Sequence, residues 1–139
     1  MGKIVVGVDG SEPSLKALQW AVKQAALTGD SVEAVIGWEL PAAGWAVPAG
    51  MPEDFDPEAL GTMQLDEALA KALEPEAAEA VTKVVVVGSP AQALLDRSEG
   101  AELLVVGARG HGALKAALLG SVSLQVAQHA SCPVTVLRG

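Results

Sequence analysis

Lys3-Ile4-Val5-Val6-Gly7-Val8, followed at once by Asp9-Gly10-Ser11-Glu12-Pro13, is the stretch that decides the fold. A continuous β-branched run suits a strand buried on both faces, because a strand with one wet face would alternate. Asp9-Gly10 breaks the run. Ser11 then offers a helix cap, and Pro13 stands near the first helical position, where its missing N–H costs nothing. Leu15, Leu18, Val22 and Ala25 fall on one helical face, so the stretch predicts a central strand feeding a helix.

The same alternation continues outward. Thr28-Gly29-Asp30 ends the helix, and residues 32–38 read as a second strand, with Gly37 at a point where a backbone or a ligand approaches closely. Residues 40–57, with Pro41, Pro48, Pro52, Pro57, Gly44, Gly50, Trp45 and Phe55, form a connection too long and irregular for an ordinary loop, and the segment expected to be mobile or a lid. A helix is predicted over 58–73 from Leu60, Met63, Leu69, Ala72 and Leu73, closed by Pro75. Residues 81–88 are the third strand. Ser89-Pro90 starts a helix running through Leu94 and Leu95 to Gly100, residues 102–107 are the fourth strand, and a helix from about Val122 to Ala130 precedes a fifth strand over 133–137.

Strands alternating with helices mark βαβ units, whose right-handed crossovers place helices on both faces of a parallel sheet. The expectation is a single doubly wound α/β domain over residues 1–139, with α/β/α layers.

Composition agrees. A chain of 139 residues buries roughly 68–70% of its unfolded surface in one ordinary core. It is 50% hydrophobic and 19% charged, with mean hydropathy +0.36, which opposes disorder. Nine Lys and Arg against 17 Asp and Glu leave a charge of −8, so a bare nucleic-acid backbone would be repelled rather than steered in, and such a partner is disfavoured. A small anion is not, because oriented backbone amides hold a phosphate without net positive charge. Apolar runs are too short to cross a membrane, the N-terminus does not read as a signal peptide, and Cys132 stands alone; a cytoplasmic chain is expected.

In an open parallel sheet, ligands sit beyond the carboxyl ends of the strands where the strand order reverses. Two strands end in unusual chemistry: Gly7-Val8-Asp9-Gly10-Ser11, and Gly107-Ala108-Arg109-Gly110-His111-Gly112 with Gly120-Ser121-Val122-Ser123 beyond it. Glycines let amides approach an anion, and Gly120-Ser121 opens a helix whose dipole favours negative charge. Ser121 and Ser123 bring hydroxyl donors, Arg109 or His111 a positive charge, and Asp9 an acceptor for a ribose hydroxyl or an adenine amine. The pattern alone equally fits ordinary turns, with Asp9 as a cap or turn former. His111 and His129 read as solvated, and the tryptophans as packing groups. There is no GxxxxGK[ST] loop, GxGxxG fingerprint, GxSxG elbow or HExxH helix, so standard NTPase, dehydrogenase and hydrolase readings fail.

Val6-Gly7-Val8-Asp9-Gly10-Ser11, Gly88-Ser89-Pro90-Ala91 and Gly107-Ala108-Arg109-Gly110 with Gly120-Ser121 together resemble the universal stress protein family, over nearly the whole chain. The most specific part is Gly-x2-Gly-x9-Gly-[Ser/Thr], filled by Gly107, Gly110, Gly120 and Ser121, the pattern associated with ATP-binding members. The resemblance implies a Rossmann-like sheet in the order 3-2-1-4-5, of the adenine nucleotide alpha hydrolase-like type. It implies that Gly7, Val8, Asp9 and Gly37 line the base and ribose side. Val106, Gly107, Arg109, Gly110, Gly120, Ser121, Val122 and Ser123 would hold ribose and phosphates. It also implies a homodimer through the last strand, Pro133 to Leu137, which suits an edge that needs covering. The expected function is ATP binding by a dimeric, nucleotide-responsive stress protein, with Mg2+ carried by the phosphates and at most slow hydrolysis, since no positioned base is apparent. The alternatives are an AMP or cyclic AMP binder of the same fold, and a nucleotide-free dimeric interaction module.

Overall fold

The computed structural model describes residues 2–38, 56–108 and 119–138. The run that opens the chain forms β1 (Lys3–Gly7), and Ser11 caps α1 (Glu12–Thr28) with its side chain accepting from the Ser14 N–H. Gly29 stops α1 at φ 78°, a left-handed turn that returns its N–H to the Ala25 carbonyl. The chain continues through β2 (Ser31–Trp38), α2 (Pro57–Ala72), α3 (Pro75–Ala80), β3 (Thr82–Val87), α4 (Pro90–Arg97), β4 (Leu103–Gly107), α5 (Ser121–His129) and β5 (Val134–Leu137).

The five strands form one parallel sheet in the order β3-β2-β1-β4-β5, as expected, with β1 central. Along β1 the side chains alternate between two cores. Ile4 and Val6 meet Ala17, Leu18 and Ala21 of α1 and Leu65 and Leu69 of α2 on one face. Val5 turns to the other, against Ala93 and Leu94 of α4 and Val126 of α5. Both faces being dry explains why β1 reads as one unbroken apolar run.

Strand and helix limits fall within a few residues of the sequence expectations. Two details differ. Pro75 does more than end a helix: Glu74, held extended before the proline, starts α3. Met63, expected on the buried face of α2, is exposed, and Gly61, Leu65, Ala68 and Leu69 carry that face instead. The expected loop at 40–57 lies outside the described residues except for Asp56 and Pro57, where Asp56 caps α2 by accepting from the Glu58 and Ala59 N–H groups.

Among the described residues, one charged group lies inside. Glu33 of β2 has a side chain only 9% exposed, and it accepts from Arg97 Nε at 2.6 Å and Lys3 Nζ at 3.5 Å. Burial works to raise its pKa, but the hydrogen bond and charge of Arg97, aided by Lys3, outweigh it and hold the carboxyl below its usual value. The cluster joins β1, β2 and α4 at the amino end of the sheet, away from the glycine-rich ends of the strands.

Candidate functional site

The reversal of strand order falls between β1 and β4, paired through Ile4–Leu103, Val5–Leu104 and Val6–Val105. Their carboxyl ends therefore stand side by side, and the described residues singled out after β1 and β4 lie there on two chain segments.

On the first segment, Val8 is buried and donates its N–H to the Val35 carbonyl at 2.9 Å. Asp9 is exposed at the corner between β1 and α1. Its Oδ1 accepts from both the Ser11 N–H, at 2.9 Å, and the Ser11 hydroxyl. Its own N–H donates to Ser14 Oγ at 3.3 Å, and that hydroxyl donates to the Ser11 carbonyl at 2.9 Å. The turn-forming role weighed for Asp9 is thus realised, and it orients the carboxyl. A Cβ on Gly7 would come within 2.8 Å of Leu94 Cδ1, so this glycine lets α4 approach β1.

Gly37, near the end of β2, is where a backbone does approach: a Cβ there would lie 2.5 Å from Pro90 Cα. The start of α4 fills that side. Gly107 has a matching place at the end of β4, where a Cβ would stand 2.7 Å from Pro13 Cβ and 2.8 Å from Pro13 C, at the start of α1.

On the second segment, Val106 is buried in the core beneath α4 and α5. Ala108 is a knot: its N–H donates to the Leu137 carbonyl at 2.7 Å, and its carbonyl accepts from the Gly120 N–H at 2.6 Å and from Ser123 Oγ at 2.7 Å. Gly120 is the N-cap of α5 and brings no side-chain acceptor to the first-turn amides, whereas Ser11, Asp56 and Ser89 cap their helices with their own oxygens. Ser121 is exposed, Val122 half-buried and Ser123 buried. Arg109 and Gly110, like His111 and Gly112, lie outside the described residues.

The structure thus brings Gly7, Val8, Asp9, Val106, Gly107, Gly120, Ser121, Val122 and Ser123 to one end of the sheet. Sequence reasoning missed Pro13, Ser14 and Ala108 as its organisers. Ser14 was legible as the partner of a Ser-x-x-Ser helix start; Ala108 acts through its peptide and leaves no sequence signal. Among the described residues no group of three or more His, Cys, Asp and Glu side chains could hold a metal ion, and no helix is long and apolar enough to cross a membrane.

The profile of the universal stress protein family matches residues 1–138. The chain belongs to that family. A universal stress protein of Mycobacterium tuberculosis is 38% identical over 141 residues, covering 97% of this chain and 44% of its own. The universal stress protein YxiE of Bacillus subtilis is 36% identical over 147 residues, covering 98% of each. The chain thus spans about half the length of the curated mycobacterial relatives it matches and nearly all of the Bacillus one. Among solved structures, a universal stress protein in complex with cAMP superposes with a TM-score of 0.69 at 30% identity, covering 99% of this chain and 96% of that one. The Rossmann-like sheet order is shared across such universal stress protein structures.

Proposed function

We propose that this universal stress protein binds an adenine nucleotide, ATP by the pattern of its glycines, in the crevice beyond the ends of β1 and β4. The observation that carries the reading is the side-chain-free N-cap of α5 at Gly120, held against the end of β4, the strand paired with β1, whose own end leads into the corner that presents Asp9. Amides at a helix start suit phosphate oxygens, and an oriented carboxyl suits a ribose hydroxyl or an adenine amine. Gly107, Gly110, Gly120 and Ser121 complete the motif of ATP-binding members.

In this reading Mg2+ arrives with the phosphates. The protein acts in the cytoplasm as a dimer through β5, binding rather than turning over its ligand. Occupancy shifts its conformations only by the difference in affinity between them. Gly110→Val and Gly120→Val are expected to abolish ATP binding, measured by calorimetry, while circular dichroism stays native-like. Retained affinity in both variants would falsify the site. Native mass spectrometry of the freshly purified protein reports both subunit number and any ligand it carries.

A second reading is favoured by the superposition on a relative holding cAMP: cyclic AMP in the same base pocket with fewer phosphate contacts. Competition among ATP, AMP and cyclic AMP for one site ranks them, and a strong preference for cyclic AMP would replace ATP as the ligand.

A further inference from the structure

The sequence expectation casts Ser123 as a hydroxyl donor to the ligand. Its surroundings point elsewhere. Ser123 is 2% exposed, and its hydroxyl has one proton. That proton faces Ala108 O at 2.7 Å, nearer than Gly120 O at 3.1 Å. The Ala108 carbonyl also takes the Gly120 N–H at 2.6 Å, so two donors from the start of α5 occupy the two lone pairs of one oxygen. The Ala108 N–H is meanwhile bound to Leu137 of β5, so the backbone of this residue is tied to the sheet on one side and to α5 on the other.

We propose that Ser123 is a positioning residue, which sets the first turn of α5 against the end of β4 so that the amides following Gly120 are in place before a phosphate arrives. The inference rests on the nucleotide reading and assigns one of its residues a different task. A helix start held in advance is not ordered at the expense of binding, so affinity gains what the clasp holds. The effect belongs to the phosphates, because Ser123 sits at α5 and not at the β1 corner that holds Asp9. Removing the hydroxyl leaves Ala108 O with its bond from Gly120, so no buried carbonyl is orphaned and the fold is expected to survive.

The test compares the wild type, Ser123→Ala and Ser123→Thr in two measurements. Amide hydrogen exchange is followed at Gly120 in the ligand-free protein, and affinity is measured for ATP and for adenosine. Exchange at Gly120 is expected to quicken in Ser123→Ala and to recover in Ser123→Thr. ATP affinity should fall roughly three- to tenfold in Ser123→Ala, the scale of one hydrogen bond, with adenosine unchanged. Should Ser123→Ala not fold, Ser123→Cys, close in size and a poor donor, takes its place.

Unchanged exchange in the variant overturns the clasp. A drop in ATP affinity without a change in exchange makes Ser123 a direct ligand contact and overturns positioning. Quickened exchange with ATP affinity intact leaves a bond of folding only, and overturns it too. A wild type that binds no adenine nucleotide sinks the nucleotide reading, and the positioning role with it, while exchange still reports whether the clasp exists.

Discussion

Gly107 and Pro13 touch where no side chain fits between them: a Cβ at Gly107 would stand 2.7 Å from Pro13 Cβ and 2.8 Å from Pro13 C. The contact joins the end of β4 to the start of α1, and so ties together the two segments that form the crevice. Pro90 and Gly37 repeat the arrangement between α4 and β2. Gly107→Ala is expected to lower stability by about 1–3 kcal/mol, since the obstacle includes backbone that cannot turn aside. Urea denaturation measures it. An unchanged midpoint would mean that α1 shifts freely on the sheet.

Asp9→Ala removes the acceptor of two Ser11 donors, at a cost of about 1 kcal/mol per bond. If the carboxyl meets base or ribose, the variant also weakens adenosine and ATP alike. Calorimetry with both ligands checks this, and a loss confined to ATP would move Asp9 away from the nucleoside.

Glu33 contributes to the acid limb of stability. Its folded pKa is depressed, so its contribution is complete above the unfolded value, near 4.5, and is lost as pH falls through the lower folded value. Glu33→Gln is expected to cost about 1–2 kcal/mol at neutral pH, the partners Arg97 and Lys3 being partly solvated. Thermal melts from pH 7 downward should show the two proteins converging below about 4.5. A constant gap would place the effect in packing instead of charge.

Gly61 lies in α2 with Val85 beneath it, and a Cβ there would come within 2.5 Å of Val85 Cγ1. Alanine is the better helix former by about 1 kcal/mol, yet Gly61→Ala should destabilise, because a valine side chain has little room to turn. Combined with Val85→Ala, the substitution should cost less than alone. Additive effects in that double-mutant cycle would separate the two residues.

Much of this was legible in the chain itself, for physical reasons. β1 is dry on both faces, so its run is unbroken. Ser11, Pro13, Ser89 and Pro90 mark helix starts because a hydroxyl accepts from a first-turn amide and proline's missing N–H costs nothing there. Met63 is exposed because apolar spacing in an alanine-rich helix fits more than one face, and packing on β1, β3 and α1 selects among them. Gly37 reads in sequence as a point where a backbone or a ligand approaches, and the backbone is that of Pro90; at Gly107 the side-chain space is taken by Pro13, and which distant helix arrives is a tertiary fact that no local pattern carries. The Ala108 knot is made of main chain and is therefore silent in sequence.

The strand order leaves β3 and β5 each with a single neighbouring strand. Two copies joined about a twofold axis through β5 would turn both β3 rims outward, and any further like-to-like pairing there would build a fibre without end. Thr82 and Lys83, both exposed, stand at the beginning of that rim, and a lysine charge opposes the approach of a second such rim. Lys83, whose ammonium also pairs with Asp66 of α2 at 2.6 Å, would be one brake on such extension in a dimer of that kind.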